Sequence, residues 1–202
     1  MSSSIKVRIN DTSVRVLPGA TLLDATRAAG IFVPSLCDFP GLKPRPVCRA
    51  CMVEVSGRSG LVPACVTPAQ EGMAVQTGGR SEAIRRTVIE LILAEHGQCG
   101  RADCEVEALG DHLGIQSSPF AGQDRTDLKD HHSDHLSIRL AGCVHCDRCI
   151  RACDQRGVLT RSGRGTSVRV AFDDDRQIAD SRCVGCGDCV AVCPAGGFLE
   201  AQ

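Results

Sequence analysis

The amino-terminal third of the chain alternates apolar and polar positions with the two-residue period of a half-buried strand. Residues 5–9 and 14–16 follow this alternation and are separated by Asn10-Asp11-Thr12, which favours a tight turn. Residues 52–55 and 73–77 show the same kind of apolar run. The pattern therefore predicts two strands joined by a turn, followed by two further strands.

Two stretches have the signals of helices instead. Thr21 and Asp24 match a capping box, which predicts a helix over 22–29 that Gly30 ends in a left-handed conformation. Ser81 is the expected N-cap of a second helix that ends near Glu95. That helix is expected to bury one apolar stripe formed by Ile84, Val88, Leu91 and Ile92.

Cysteine dominates the composition, with 14 copies in 202 residues, while Trp and Tyr are absent and the formal net charge is −1. The lack of stacking platforms and of excess positive charge argues against a nucleic-acid partner. We find no signal segment and no run near the roughly 18 to 20 apolar residues of a membrane-spanning helix, which predicts a cytoplasmic protein. In a reducing compartment, CxxC spacing is typical of metal ligation rather than of disulfides.

The first cysteine block consists of Cys37, Cys48, Cys51 and Cys65, with gaps of ten, two and thirteen residues. Four soft thiolates are the ligand set of a [2Fe–2S] cluster. Glycine and proline between the first two cysteines suit an irregular loop that encloses such a cluster. A tetrahedral zinc ion uses the same four ligands, so the spacing predicts the cluster and leaves zinc as the alternative.

The last two cysteine blocks repeat a single spacing of two, two and three intervening residues. They are Cys143, Cys146, Cys149, Cys153 and Cys183, Cys186, Cys189, Cys193. Bacterial ferredoxins use this run for two [4Fe–4S] clusters, and the fourth cysteine of each block ligates the other cluster. We therefore predict one cluster on Cys143, Cys146, Cys149 and Cys193, and the other on Cys183, Cys186, Cys189 and Cys153. Residues 167–172, between the blocks, are predicted to form a strand of a hairpin.

Several runs around these blocks resemble a known family. They are Gly30–Cys37, Val47–Val55, Cys65–Pro68, Glu71–Met73, and, in the carboxyl-terminal part, 149–154, 170–175 and 190–194. The runs resemble the iron–sulfur region shared by three kinds of protein. These are the largest peripheral iron–sulfur subunit of respiratory complex I, the diaphorase iron–sulfur subunit of NAD-reducing hydrogenases, and the catalytic chains of many formate dehydrogenases and iron-only hydrogenases.

In that family, a short middle domain binds a [4Fe–4S] cluster through the pattern His-x3-Cys-x2-Cys-x5-Cys. Here the corresponding loop reads His96-x2-Cys99-x4-Cys104, which is shorter and has one cysteine fewer. Asp103 or a non-protein ligand could complete this set. Alternatively, His96 interacts with the last carbonyls of the preceding helix and the two thiols bind nothing. An altered or absent middle cluster is therefore a hypothesis.

The resemblance implies an α+β chain in three parts. An amino-terminal β-grasp [2Fe–2S] ferredoxin domain is expected over 1–79, a short helical His/Cys middle domain over 80–118, and a bacterial-type 2×[4Fe–4S] ferredoxin domain over 137–202. Residues 116–136 are rich in Ser, Gly, Asp and His, which predicts a surface linker. Its histidines, His131, His132 and His135, are expected to be solvated rather than to bind a metal.

The function implied is electron transfer without catalysis. No catalytic triad, carboxylate pair or nucleotide-binding loop stands out, and the chain ends nine residues after Cys193. We expect an iron–sulfur relay subunit of a cytoplasmic NAD(P)-linked oxidoreductase, above all the diaphorase part of an NAD-reducing hydrogenase. Its expected partners are a flavin- and NAD-binding diaphorase subunit and a catalytic hydrogenase or formate dehydrogenase subunit. A relay in a formate dehydrogenase or another NADH-dependent complex is the second hypothesis, and a zinc-stabilised assembly module is the third.

Overall fold

The computed structural model of the chain describes residues 4–96, 101–122, 131–153 and 155–201. They divide into two compact units, each with its own apolar core. The first unit comprises Met1–Asp38 and Pro44–Ile89, and the second comprises Phe39–Lys43 and Glu90–Gln202. Within the described residues, no helix is long and apolar enough to cross a membrane.

A five-stranded mixed sheet and one short helix form most of the first unit. Its elements are β1 (Ile5–Ile9), β2 (Thr12–Val16), α1 (Leu22–Ala28), β3 (Met52–Val55), β4 (Leu61–Pro63) and β5 (Ala74–Gln76). The strand order is β2-β1-β5-β3-β4. The central pair, β1 and β5, is parallel, and the other neighbours are antiparallel. This is the β-grasp arrangement that the family resemblance implied.

The predicted local signals account for this sheet and its helix. Asn10 turns the chain between β1 and β2 with a φ of 51°, and the alternation buries Val7 and Ile9 completely. Thr21 and Asp24 form both hydrogen bonds of the capping box at the start of α1, as predicted. Strand β4 was not predicted, since its three residues show no alternation and depend on pairing with β3.

Helix α2 (Arg80–Glu95) corrects the prediction for the second helix. It begins one residue before Ser81, so Ser81 is not its N-cap. The Ser81 hydroxyl instead donates to the Gly78 carbonyl oxygen at 2.9 Å, on the buried face of the helix. The cap prediction was wrong because the helix already includes Ser81, whose hydroxyl contacts the carbonyl oxygens of Gln76 and Gly78 instead of a helix N–H group.

The buried stripe of α2 also differs from the predicted one. Its buried residues are Ser81, Arg85 and Ile89, whereas Leu91 is 46% exposed. The Arg85 guanidinium donates to the carbonyl oxygens of Met52 and Thr77. An arginine therefore lies on the buried face of α2, where the sequence pattern predicted aliphatic residues. Burial lowers the pKa of Arg85, and these hydrogen bonds compensate part of the cost of burying its charge.

The second unit consists of short elements around the two carboxyl-terminal cysteine blocks. These are α3 (Glu105–His112), β6 (His131–His132), β7 (Leu136–Ile138), α4 (Arg148–Ala152), β8 (Leu159–Ser162), β9 (Arg169–Phe172), α5 (Asp188–Ala191) and β10 (Phe198–Glu200). Strands β10, β7 and β6 form one antiparallel sheet, and β8 and β9 form the predicted hairpin. Leu136, Ile138 and Leu140 pack with the rings of Phe172 and Phe198 in the core.

The predicted linker over 116–136 is only partly confirmed. Residues 116–122 are irregular, and 123–130 lie outside the described residues. However, β6 and the first residue of β7 fall within the predicted linker and belong to a sheet. The prediction was wrong there because two-residue strands have too few side chains to produce a visible alternation.

Candidate metal centres

The four cysteines of the first block lie in the loops around the edge of the β-grasp sheet. Cys37 and Cys48 belong to the loop between α1 and β3, Cys51 immediately precedes β3, and Cys65 follows β4. The Cys48 thiol donates to the Cys37 sulfur, with the sulfur atoms 3.3 Å apart. Cys65 is hydrogen-bonded to both Cys37 and Cys51. The structure thus brings together all four predicted ligands.

Proton sharing among these thiols separates their pKa values. Hydrogen bonds from the thiols of Cys48 and Cys65 lower the pKa of Cys37 to about 2. A hydrogen bond from Cys65 likewise lowers the pKa of Cys51. The pKa values of Cys48 and Cys65 are raised, chiefly because each donates to Cys37. Metal ions bound in this loop would displace the remaining thiol protons.

The backbone around the first block also points toward its sulfur atoms. The N–H groups of Val47 and Cys48 donate to the Cys37 sulfur, and that of Ala50 donates to the Cys48 sulfur. Arg49 has a φ of 60°, a left-handed conformation that is uncommon outside glycine. This local geometry turns successive N–H groups to one side, where they stabilise an anionic centre.

Two small cavities lie beside the carboxyl-terminal repeats, and each is lined by four cysteines. One cavity is lined by Cys143, Cys146, Cys149 and Cys193. The other is lined by Cys183, Cys186, Cys189 and Cys153. Each cavity thus combines three thiols of one repeat with the fourth thiol of the other. The structure brings together the two crossed sets that the spacing predicts.

Burial governs the protonation of these thiols in the metal-free chain. It raises the pKa of Cys146 to about 12 and that of Cys189 to about 12. The pKa of buried Cys149 is also raised well above its ordinary value, mainly by desolvation and then by the neighbouring cysteines. A metal centre in either cavity must therefore release protons from buried thiols as it forms.

The distances between the sulfur atoms of the cysteines distinguish a cluster site from a site for a single metal ion. Thiolates bound to one zinc at about 2.3 Å lie about 3.8 Å from one another. Among the described residues, no three of these cysteines bring their sulfur atoms within 4.8 Å of one another. Within the described residues, no three of these thiols therefore have the mutual spacing of ligands on one tetrahedral ion, whereas the ligands of a cluster are divided among several irons.

In the described part of the middle block, two of the three predicted residues lie together with a carboxylate that was not predicted. The Cys104 sulfur lies 3.2 Å from Nε2 of His96, and Oε1 of Glu107 lies 3.6 Å from the same nitrogen. Cys99 lies outside the described residues. Asp103, considered as a completing ligand, instead accepts hydrogen bonds from Arg101 through both carboxylate oxygens, and this contact lowers its pKa.

Glu107 is the residue that sequence reasoning missed in this block. It lies on α3, three residues after Cys104, which precedes that helix as its N-cap. Residues at this spacing share a helix face, so Cys-x2-Glu at a helix start was the available signal. Of the histidines of the predicted linker, His132 and His135 are exposed, and neither belongs to this group.

Family models match the two cysteine-rich parts of the chain. Residues 2–80 match the 2Fe-2S iron-sulfur cluster binding domain, and residues 124–196 match the 4Fe-4S dicluster domain. These matches confirm the predicted cofactors, one [2Fe–2S] and two [4Fe–4S] clusters, at the level of the domains.

Curated relatives align with nearly the whole chain. It is 34% identical to the NADP-reducing hydrogenase subunit HndD of Solidesulfovibrio fructosivorans over 98% of the chain and 36% of that protein. It is 32% identical to an NADH-quinone oxidoreductase protein of Rhizobium meliloti over 97% of the chain and 24% of that protein. A putative formate dehydrogenase of Staphylococcus haemolyticus is 28% identical over 99% of the chain and 21% of its own length. The chain thus spans about a third or less of these relatives.

A solved structure matches the chain over a much larger share of its own length. It is a chain in the crystal structure of an NAD+-reducing NiFe hydrogenase in the hydrogen-reduced state, with a TM-score of 0.85 and 27% identity. The match covers 99% of the present chain and 88% of that chain. Together with the curated relatives, it confirms the family resemblance seen in the sequence.

Proposed function

Because the chain combines a [2Fe–2S] cluster binding domain with a [4Fe–4S] dicluster domain, we propose that it is an electron-relay subunit of a multi-subunit NAD(P)-linked oxidoreductase. The observation that carries the proposal is the pair of cavities, each lined by three cysteines of one repeat and one of the other. When bound, clusters in such sites accept and pass on single electrons.

Twelve cysteines are the proposed ligands. Cys37, Cys48, Cys51 and Cys65 hold the [2Fe–2S] cluster; Cys143, Cys146, Cys149 and Cys193 hold one [4Fe–4S] cluster; and Cys183, Cys186, Cys189 and Cys153 hold the other. The convergence of each set in a loop or cavity supports this assignment. Beyond ligation, the chain excludes water with the buried side chains of Leu136, Phe172 and Phe198.

The proposed partners are a flavin- and NAD-binding subunit on one side of the relay and a catalytic hydrogenase subunit on the other. Support comes from one relative in sequence and one solved structure, both described as hydrogenases that reduce a nicotinamide cofactor. A formate dehydrogenase as the catalytic partner is the second candidate, favoured by the relatives named for that activity. We propose a cytoplasmic location, since reduced thiols in this number suit a reducing compartment.

The crossed ligation has a sharp spectroscopic test. The chain is purified without oxygen, reduced with dithionite and examined by electron paramagnetic resonance. Cys153→Ala should remove the same four-iron signal as Cys183→Ala, and Cys193→Ala the same signal as Cys143→Ala. Cys48→Ala should remove only the two-iron signal. A colourless protein, or Cys153→Ala and Cys143→Ala affecting one common signal, would contradict the assignment.

The partners are tested with the complex isolated from its own cells through an affinity tag on this chain. We expect a flavin-containing chain to co-purify and the iron–sulfur signals to appear on addition of NADH. Reduction of the same signals by hydrogen supports the hydrogenase partner, whereas reduction by formate alone supports the second candidate. Signals that respond to dithionite but to none of these donors would contradict the proposed role.

A further inference from the structure

Three ligand atoms of different chemical types converge where α2 ends and α3 begins. His96 follows α2, Cys104 precedes α3, and Glu107 lies in its first turn. Nε2, Sγ and a carboxylate oxygen of these residues all lie within 4.8 Å of one another. This is the single group of three such ligands that the described residues bring so close together.

The spacing of these atoms fits one metal ion. For zinc bonded to nitrogen, sulfur and oxygen in a tetrahedron, the expected separations are about 3.6 Å for N to S and about 3.4 Å for N to O. The observed distances are 3.2 Å from His96 Nε2 to Cys104 Sγ and 3.6 Å from the same nitrogen to Glu107 Oε1. Ligands on different irons of a four-iron cluster are separated by the cluster itself, so these two atoms lie too close for that role.

The surroundings of His96 favour the same arrangement. Its Nδ1 lies 3.2 Å from the carbonyl oxygen of Gly142, which can accept the Nδ1–H and leave the Nε2 lone pair directed at Cys104 and Glu107. The imidazole is only 3% exposed, and Cys104 is equally buried. Cys104 is the N-cap residue of α3, so the start of that helix fixes the position of its sulfur beside His96.

We propose that His96, Cys104 and Glu107 hold a single zinc ion, in place of the further [4Fe–4S] cluster that the family resemblance suggested. A mixed set of nitrogen, sulfur and oxygen ligands is one that zinc, a borderline-soft ion, accepts in tetrahedral geometry. Glu107 is 52% exposed, which leaves room on that side for water as the fourth ligand. The ion fastens the end of α2 to the beginning of α3.

The test measures zinc, iron and acid-labile sulfide in the full chain purified without oxygen. The variants are His96→Ala, Cys104→Ser and Glu107→Gln, with Asp111→Asn as the control because Asp111 is an exposed acid one turn further along α3. We expect one zinc per chain in the unmodified protein and in Asp111→Asn. Zinc should be lost in His96→Ala and Cys104→Ser, and its affinity should fall at least about tenfold in Glu107→Gln. Iron and sulfide should stay unchanged in all four.

X-ray absorption at the zinc edge supplies the ligand set directly, with one sulfur and the remaining neighbours nitrogen or oxygen. A chain without zinc, or Glu107→Gln with unchanged zinc affinity, overturns the proposal. Loss of iron and sulfide in Cys104→Ser also overturns it, since the block would then hold a cluster. Glu107→Gln keeps the test valid if the variants of the two buried ligands fail to fold. Cluster content is measured separately, so failure of the relay proposal is distinguished from failure of this one.

Discussion

The first repeat, Cys143–Cys153, and the second repeat, Cys183–Cys193, build the same loop with different residues. The residues before and after the second cysteine are left-handed in both: His145 and Asp147 in the first repeat, Gly185 and Gly187 in the second. The corresponding φ angles are 52° and 62° in the first repeat, and 66° and 78° in the second. Glycine adopts this conformation without a steric penalty, whereas other residues lose about 1–2 kcal/mol.

Contacts from β8 offset this cost in the first repeat. The Arg161 Nε donates to the Asp147 carboxylate at 2.7 Å, and the same guanidinium donates to the His145 carbonyl oxygen. Arg151 Nε also donates to the Asp147 carbonyl oxygen at 3.2 Å. The second repeat therefore forms the loop through the conformational freedom of glycine, and the first repeat forms it through side-chain contacts. The cysteine spacing is the same in both, so it does not reveal this difference.

The repeats also differ in solvent access. Cys146 and Cys149 of the first repeat are buried, whereas in the second repeat Cys186 is exposed and Val184 is 65% exposed. Exposure and hydrogen bonds to sulfur are among the features that set the potential of a cluster. The two repeats have the same cysteine spacing, yet the exposure of their cysteines differs. We therefore expect their clusters to differ in potential and in sensitivity to oxidants.

The largest expected effect comes from adding a side chain at a glycine of the second repeat. A Cβ at Gly185 would lie 2.6 Å from the His135 ring, whereas a Cβ at Gly187 meets nothing within 4 Å. We expect Gly185→Ala to destabilise the chain by about 2–4 kcal/mol through strain and overpacking, and Gly187→Ala by about 1 kcal/mol through strain alone. Thermal unfolding, followed by the visible absorbance of the clusters, compares the two variants. Equal losses would show that His135 does not restrict this loop.

Removal of the β8 contacts is expected to have a smaller effect, on the first repeat. Arg161→Ala loses the bonds to Asp147 and His145, and should cost about 1.5–3 kcal/mol because charged hydrogen bonds are involved. Arg164→Ala, in the turn of the same hairpin, is the control for loss of charge. Unfolding midpoints and the intensity of each four-iron signal are the measurements. Selective loss of the signal that depends on Cys183 would contradict the proposed compensation.

Cluster loading is expected to depend on pH more steeply in the first repeat. Burial raises the pKa of Cys146 to about 12 and that of Cys149 well above its ordinary value in the first set, and it raises the pKa of Cys189 to about 12 in the second set. A raised thiol pKa means that ligands stay protonated until higher pH, so higher pH favours loading by up to about tenfold per unit for each proton released. Reconstitution of the metal-free chain between pH 7 and 9, followed by the two signals, checks this order. A steeper dependence for the second set would contradict it.

The smallest expected difference is in sensitivity to air. The set containing exposed Cys186 should lose its signal a few times faster than the set containing buried Cys146, because oxidants reach exposed thiolates more readily. Timed exposure of the reduced protein to oxygen, with both signals recorded, measures the two rates. Equal rates would show that exposure in this chain does not control the loss.

Much of the fold could be predicted from local signals. The capping box at Thr21 and the hairpin at Asn10 depend on residues close in sequence, and both were confirmed. The strand predicted over 167–172 was confirmed over the shorter range Arg169–Phe172. Strand β4 and the buried face of α2 could not be predicted in this way. Both depend on partners distant in the chain: β3 for the strand, and the carbonyl groups of Met52 and Thr77 for Arg85.

The sequence by itself predicted which thiols lie together, because the spacing between cysteines limits the loops they can form. Only the tertiary structure decided how each centre is surrounded. Packing buries Cys146 and leaves Cys186 exposed, and it brings Glu107 to His96 across an interval of eleven residues. Such differences come from non-local contacts and desolvation, which the spacing of ligands along a chain does not record.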